Sequence, residues 1–337
     1  MNAIQWIKKR LRSPKKVPSY LYMSDQSLTQ ISRLEAHRRR NTIECQMPLI
    51  HNFIDHEEFV LVILDACRYD VFSEIYEDYL TGELDRVWAS GRWTAQYCER
   101  TWTKSYDLTY ISSIPVFSDF YFDLRNKKFR PGNHIQNIVH MWDHEWDPSL
   151  GTTPPEEVTD EALRHANAER PTRIVVHYAQ PHVPYIGDET IEAWSSDEVP
   201  SYEGVDDIQD LLRLDKKRPT QVVLDKIRSG EVIDKELERA YRSNLHYVME
   251  EVVRIVYRVD CPVVVTADHG EHLGEKGYYL HEEDSTIVRK IPWLSVNDDE
   301  IGILNNKKSP SDRHSTKESL DVSNKELEEQ LKHLGYM

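Results

Sequence analysis

Asp268 and His269 follow directly on the apolar run Val263-Val264-Val265-Thr266-Ala267 and are followed by Gly270 and Glu271. A short β-branched run of this kind predicts a buried strand. Its end delivers a carboxylate and an imidazole to one point, and Gly270 lets the backbone turn sharply. A carboxylate oxygen and a neutral imidazole nitrogen are donors that zinc or manganese prefers. The segment continues through Leu273-Gly274-Glu275-Lys276-Gly277 to His281, twelve residues after His269. Together these residues predict a metal site with an adjoining substrate pocket.

Two more predicted strands end in residues of the same kind. The run Phe59-Val60-Leu61-Val62-Ile63-Leu64 ends at Asp65, and Arg173–Tyr178 leads through Gln180-Pro181 to His182. In open α/β sheets, ligands bind beyond the carboxyl ends of the strands. One acidic residue after a strand is more often a helix cap or an ion-pair partner. Three such ends on one sheet argue for a site.

The elements that must position them alternate. A helix is expected after Asp65 through Tyr79, with short strands at Arg86–Ala89 and Leu108–Ser112. A long helix fits Asp234 to Tyr257, with Leu237, Tyr241, Leu245, Val248 and Val252 along one side. A later strand fits Ile291–Val296 and a last helix Lys325–Leu334. This alternation predicts a layered helix-sheet-helix α/β fold with a mostly parallel central sheet. Residues 1–48 read as a basic N-terminal appendage and 49–337 as the catalytic domain. Within that domain 188–230 is an insertion or lid, and 305–337 a polar linker and C-terminal helix. In the appendage Ile4, Ile7 and Leu11 share a helical face ringed by Lys8, Lys9, Arg10, Arg12, Lys15 and Lys16. The stripe is short and ends at Pro14 and Pro18, so it supports at most peripheral contact with a membrane or an acidic partner.

A formal net charge of −16 counts against nucleic-acid binding, which needs a basic surface. It also requires that an anionic substrate be drawn in by a locally positive site, and a metal ion supplies one. The four cysteines form no C-x-x-C pair, which predicts a reduced setting. No apolar run reaches the roughly 18 residues of a membrane span, and the N-terminus lacks the apolar core of a signal peptide. The expectation is a cytoplasmic protein, at most peripheral to the membrane. Nothing in the sequence indicates an oligomeric state.

The pattern resembles the alkaline phosphatase superfamily in its sulfatase-like branch. Leu64-Asp65-Ala66-Cys67-Arg68-Tyr69-Asp70 is similar to the first metal-ligand strand of that superfamily. Ala267 to His281 is close to the signature of phosphoethanolamine transferases, and His177-Tyr178-Ala179-Gln180-Pro181-His182-Val183-Pro184-Tyr185 resembles their substrate-histidine strand. The ending Leu331–Tyr336 is similar to sulfatase C-termini. The resemblance implies a metal-ligating hydroxyl or modified-cysteine nucleophile some tens of residues after the first strand. Thr94, in Gly91-Arg92-Trp93-Thr94 and 29 positions after Asp65, fits best, with Ser90, Thr101 and Thr103 as alternatives. The ordinary reading of Thr94 is a helix N-cap, and both roles are compatible at a helix start.

True sulfatases oxidise a residue within C/S-x-P/A-x-R, and the sequences around Cys67 and Cys98 do not fit that motif. This favours phosphoryl chemistry through Thr94 and leaves Cys67 as a small buried residue. Two-metal members carry Asp-x-x-x-His where this chain has Gln180 and His182. One divalent ion is therefore expected on Asp65, Thr94, Asp268 and His269, zinc or manganese first and calcium or magnesium second. His182 and His281 then contact the transferring group or its leaving oxygen, with room for a loosely held second ion between them. Arg68, Arg92 and Lys276 are candidate anion clamps, whereas His177 is expected to face away. The resulting expectation is a metal-dependent, sulfatase-like hydrolase or transferase acting on phosphate-type esters, with sulfate esters as the related case. Its partner is an anionic ester substrate, glycan- or lipid-linked by analogy with the relatives. The alternatives are a binding or regulatory module that keeps the fold, or a phosphatase-like domain of a phage-defence system, to which Asp65–Asp70 bears some likeness.

Overall fold

β1 (Phe59–Asp65) is buried at all seven positions, as a continuous apolar run demands of a strand covered on both faces. It lies between β5 (Arg173–Pro181) and β6 (Val263–Ala267), parallel to both. The computed structural model describes residues 28–306 except 148, 169 and 193–218. Outward from this trio come β9 (Lys290–Val296) and β2 (Gly82–Trp88) on one side, and β3 (Tyr106–Ser112) and β4 (Ile135–His140) on the other. The seven-stranded order is β2-β9-β6-β1-β5-β3-β4. β9 runs antiparallel to both of its neighbours, and the remaining pairs are parallel. The mostly parallel α/β architecture expected from the sequence is therefore observed.

The register decides where the chemistry collects. Leu64 pairs with Ala267 and Asp65 with Pro181. The residues that leave β1, β6 and β5 thus emerge side by side at one edge of the sheet, the carboxyl end that α/β sheets use for ligands.

Helices cover the faces. α1 (Leu28–Arg40) and α2 (Gln46–Phe53) precede the sheet, and α3 (Tyr69–Ile75) follows β1. α4 (Thr94–Thr101) follows β2, and α5 (Pro155–Ala168) precedes β5. α6 (Asp234–Val256) carries the expected apolar side, with Leu237, Tyr241, Leu245, Val248 and Val252 all buried. It packs on α5 and β5. A short α7 (Thr286–Arg289) leads into β9. Among the described residues, no helix is long and apolar enough to cross a membrane.

β4 and α5 are among the elements that carried no clear signal in the sequence. β4 is an edge strand with exposed Gln136 and Asn137, so it shows no apolar run. α5 buries Thr159, Ala162, His165 and Ala166 beside Val158 and Leu163, a stripe too small and polar to stand out as an amphipathic helix. The basic residues 4–16, most of the 188–230 insertion and the helix expected at 325–334 lie outside the described residues. Of the insertion, Pro219–Ser229 is helical. In the described part of the 1–48 segment, Gln46 is fully buried and Cys45 bridges to Trp88.

The turn after β5 is held by one side chain. Asn244 of α6 donates from Nδ2 to the carbonyls of Pro181 (3.2 Å), His182 (3.1 Å) and Pro184 (3.1 Å), and its Oδ1 accepts from the Ile186 N–H at 2.9 Å. Asn244 is fully buried, and each buried polar group left unpaired costs ~1–3 kcal/mol. Asn244→Leu is expected to lower the unfolding free energy by about 3 kcal/mol in urea titration. A loss below about 1 kcal/mol contradicts this role.

Candidate metal centre

The strand ends converge as the register requires. Among the described residues, donor atoms of Asp65, Asp268 and His269 all lie within 4.8 Å of one another. His269 Nε2 is 3.4 Å from Asp65 Oδ1 and 3.4 Å from Asp268 Oδ2. Thr94 Oγ1, on the first residue of α4, is 3.4 Å from the same nitrogen. The helix cap itself is Trp93, not Thr94, so the threonine hydroxyl is not spent on capping. The structure therefore brings together all four residues named as ligands, and none is more than 6% exposed.

These atoms suit a cation. Asp65 Oδ1 and Asp268 Oδ2 are buried with no hydrogen-bond partner. An orphaned buried carboxylate oxygen is costly unless something positive completes it. The other oxygen of Asp268 is fixed by the N–H groups of Ala66 (3.1 Å) and His269 (2.8 Å), which aims the free one inward. His269 Nδ1 donates to the Gly270 carbonyl at 2.9 Å. That hydrogen bond sets the tautomer and leaves the Nε2 lone pair toward the carboxylates, as in metal-bound histidines. Two carboxylate oxygens, an imidazole nitrogen and a hydroxyl make a four-donor set of the composition zinc accepts.

The protonation pattern follows from burial. Burial, and then the Asp268 carboxylate, push the Asp65 pKa well up. Burial raises Asp268 as well, against its two N–H donors and the Thr94 hydroxyl, which favour the ionised form. Burial pushes His269 down to about 3, so its ring is neutral. The raised Asp65 and Asp268 are the pattern expected of two buried carboxylates with no cation between them.

His182 and His281 flank this cluster. The His281 ring centroid lies 5.2 Å from that of His269, 6.1 Å from His182 and 6.5 Å from Trp93. His281 follows a two-stranded hairpin, β7 (His272–Leu273) and β8 (Tyr279–Leu280). Burial, with His269, His182 and Arg92 nearby, pushes its pKa well down. His182 keeps 15% of its side chain exposed, and its Nδ1 lies 2.9 Å from Glu271 Oε2. Burial opposes charging His182, but the Glu271 carboxylate, followed by Asp65 and Asp268, outweighs it and raises the pKa to about 9.

Glu271 was not singled out by the sequence reading. It is fully buried and its second oxygen has no partner. The available signal was its place in Asp268-His269-Gly270-Glu271, two residues beyond His269 and three beyond Asp268. Of the anion-clamp candidates, Arg68 is spent on Asp70 and Glu275, and Lys276 is exposed. Arg92 is buried close enough to His281 to lower its pKa. His177 lies under the cluster, fully buried, with Nδ1 2.8 Å from the Tyr110 hydroxyl. Cys67 is fully buried and burial pushes its thiol well up, which leaves it unreactive.

Comparison with known proteins bears on the family. The sequence profile of the sulfatase family matches residues 93–289, more than half of the chain. That range holds Thr94, His182, Asp268, His269, Glu271 and His281 and begins after Asp65. No curated protein matches the chain. Similar solved structures include the protein BT4656 in complex with its substrate D-glucosamine-2-N,6-O-disulfate, at 11% identity and a TM-score of 0.48, covering 77% of this chain and 78% of that one. Another is the soluble domain of lipooligosaccharide phosphoethanolamine transferase A from Neisseria meningitidis, at 13% identity and a TM-score of 0.43, covering 71% and 76%. A third is the C-terminal periplasmic domain of the phosphoethanolamine transferase EptC from Campylobacter jejuni, at 15% identity and a TM-score of 0.42, covering 75% and 83%. The cytoplasmic location expected from the cysteines and the N-terminus is corrected by this comparison, since the similar structures from Campylobacter jejuni and Escherichia coli are periplasmic domains. Unpaired cysteines are compatible with either side of a membrane, so they never carried that inference alone. The chain belongs to the sulfatase family, within the alkaline phosphatase superfamily.

Proposed function

We propose that the chain is a metal-dependent enzyme that cleaves or transfers a phosphate-type ester through a covalent intermediate on Thr94. One observation carries the reading: the Thr94 hydroxyl lies 3.4 Å from His269 Nε2, beside two buried carboxylate oxygens that lack any partner. Asp65, Asp268, His269 and Thr94 would hold one divalent ion, with zinc or manganese preferred by this donor set. When bound, the ion supplies Lewis-acid polarisation and lowers the pKa of the threonine hydroxyl.

The protein's own groups divide the remaining work. Thr94 Oγ1 attacks the phosphorus, the Oγ1–P bond forms, and the bond from phosphorus to the leaving oxygen breaks. The proton lost from Thr94 is matched by one delivered to the leaving oxygen. His182 suits that delivery, because the Glu271 contact keeps its ring charged near neutral pH. Neutral His281 and buried Arg92 border the space where the anionic group would sit. Water or an acceptor alcohol then attacks the same Thr94 ester, so one site serves hydrolase and transferase alike. Lack of the formylglycine motif around Cys67 and Cys98 favours phosphate over sulfate. The sequence resemblance favours an ester on a glycan or lipid. A full set of ligands with a nucleophile and a charged histidine supports turnover over a binding module that merely keeps the fold.

A panel of aryl phosphate monoester, aryl phosphodiester and aryl sulfate, assayed with added zinc or manganese, tests the reading. Thr94→Ala is expected to lower kcat by about 10³-fold or more on the best substrate while the melting temperature holds. A Thr94→Ala protein with full activity contradicts the nucleophile assignment. Chelation is expected to abolish turnover, with recovery on adding the metal back.

Charge on His182 also predicts a pH effect in the metal-free protein. Its folded pKa of about 9 lies above the usual 6.5. The stabilisation is therefore complete below about 6.5 and disappears as pH rises through about 9. Chemical denaturation in chelator between those values should show a decline on the order of 3 kcal/mol, and His182→Gln should remove it. Identical profiles for the two proteins contradict the assignment.

A further inference from the structure

Thr94 depends on a loop that is held from outside the sheet. The loop joins β2 to α4, and several of its backbone groups are hydrogen-bonded to residues outside it. The Trp88 N–H donates to the Glu44 carbonyl at 2.7 Å, and the Ala89 N–H to the Arg289 carbonyl at 2.8 Å. Arg289 Nη1 donates back to the Ala89 carbonyl at 3.1 Å, and Arg289 grips Asp284 through both oxygens at 2.7 and 2.9 Å. Arg100 Nη1 donates to the Ser90 carbonyl at 2.9 Å.

The Ser90 N–H donates to Gln46 Oε1 at 3.1 Å. Gln46 Nε2 donates in turn to the Ala267 carbonyl at 2.5 Å. Gln46 is fully buried at the start of α2. Its two partners belong to the two halves of the site. Ala267 is the residue immediately before the ligand Asp268, and Ser90 lies four residues before Thr94. One rigid amide therefore spans the gap between the strand that carries the carboxylate and the loop that carries the hydroxyl. Its length fixes how far apart those two backbones sit.

We infer that Gln46 is a positioning residue that sets the approach of Thr94 to Asp268 and His269, which makes the 44–46 segment part of the site architecture. This rests on the metal-and-threonine reading above. A ligand or nucleophile misplaced by as little as ~0.5 Å loses function, and the Gln46 bridge constrains that distance directly. A role limited to satisfying two backbone groups would leave the metal site indifferent to which partner is lost. A positioning role acts through Thr94.

A double-mutant cycle in Zn²⁺ affinity separates the two roles without needing a substrate. Wild type, Gln46→Met, Thr94→Ala and the double variant are titrated calorimetrically with Zn²⁺ on the full chain, after thermal melts of the metal-free proteins. Methionine keeps the length and drops both hydrogen bonds. Gln46→Met is expected to weaken Zn²⁺ about tenfold when Thr94 is present and no more than about twofold when Thr94 is alanine. Gln46→Glu serves as the conservative rescue. Burial keeps its carboxyl protonated, so it can still accept from Ser90 and donate to Ala267, and its affinity should stay within about threefold of wild type. If the methionine protein does not fold, Gln46→Asn, an amide one methylene too short to span both partners, takes its place in the cycle with the same expectations. Equal losses in both backgrounds, or no loss with Thr94 present, overturn the inference while leaving the function reading intact. Absence of Zn²⁺ binding by the wild type overturns both.

Discussion

Two carboxylates buried side by side in a sheet of apolar strands both stay ionised only if something positive is placed between them. Asp65 and Asp268 leave the ends of adjacent parallel strands, and each keeps one oxygen with no partner. Glu271 adds a third buried carboxylate close by. Isolated burial of any one of these costs several kcal/mol, and together they repel. The protein supplies one compensating charge itself, on His182 against Glu271. The other two carboxylates share an imidazole that burial keeps neutral, and a cation between them is the balance that the proposed function supplies. Much else about the centre follows from that imbalance.

The supporting structure treats the two kinds of residue differently. Asp65, Asp268 and His269 sit where central strands end, so the pairing register of β1 and β6 positions them. The backbone N–H groups of Ala66 and His269 then lock the Asp268 side chain. Thr94 and His281 come from connections outside that central register. Their placement relies on side-chain clamps: Gln46 and Arg289 on the loop before Thr94, and the Asp284–Arg289 pair tying that loop to the segment just after His281. His182 is intermediate, since it leaves a central strand but is held by Asn244 on α6. Strand-end groups are inherited from the fold, whereas loop-borne groups need added hydrogen bonds to become equally rigid.

That division explains what could be read from the sequence. The ends of β1, β5 and β6 were legible because buried parallel strands announce themselves as continuous β-branched runs, and the ligands follow directly. α6 was legible from its 3.6-residue stripe. Thr94 was reached only through resemblance, because no local pattern separates it from Ser90, Thr101 or Thr103. Gln46 and Asn244 were invisible: one buried amide in an otherwise ordinary helix has no periodicity, and its partners lie tens to hundreds of residues away. Glu271 stood in plain view beside the ligands, but its pairing with His182 depends on a contact across 89 residues. The compartment was misjudged because cysteine spacing constrains disulfides more than location.

The most direct test is anomalous diffraction at the zinc edge from crystals grown with the metal. One peak about 2.0–2.2 Å from Asp65 Oδ1, Asp268 Oδ2, His269 Nε2 and Thr94 Oγ1 is the predicted result. A peak confined to the space between His182 and His281, or no peak at the Asp65–Asp268 junction, contradicts the account.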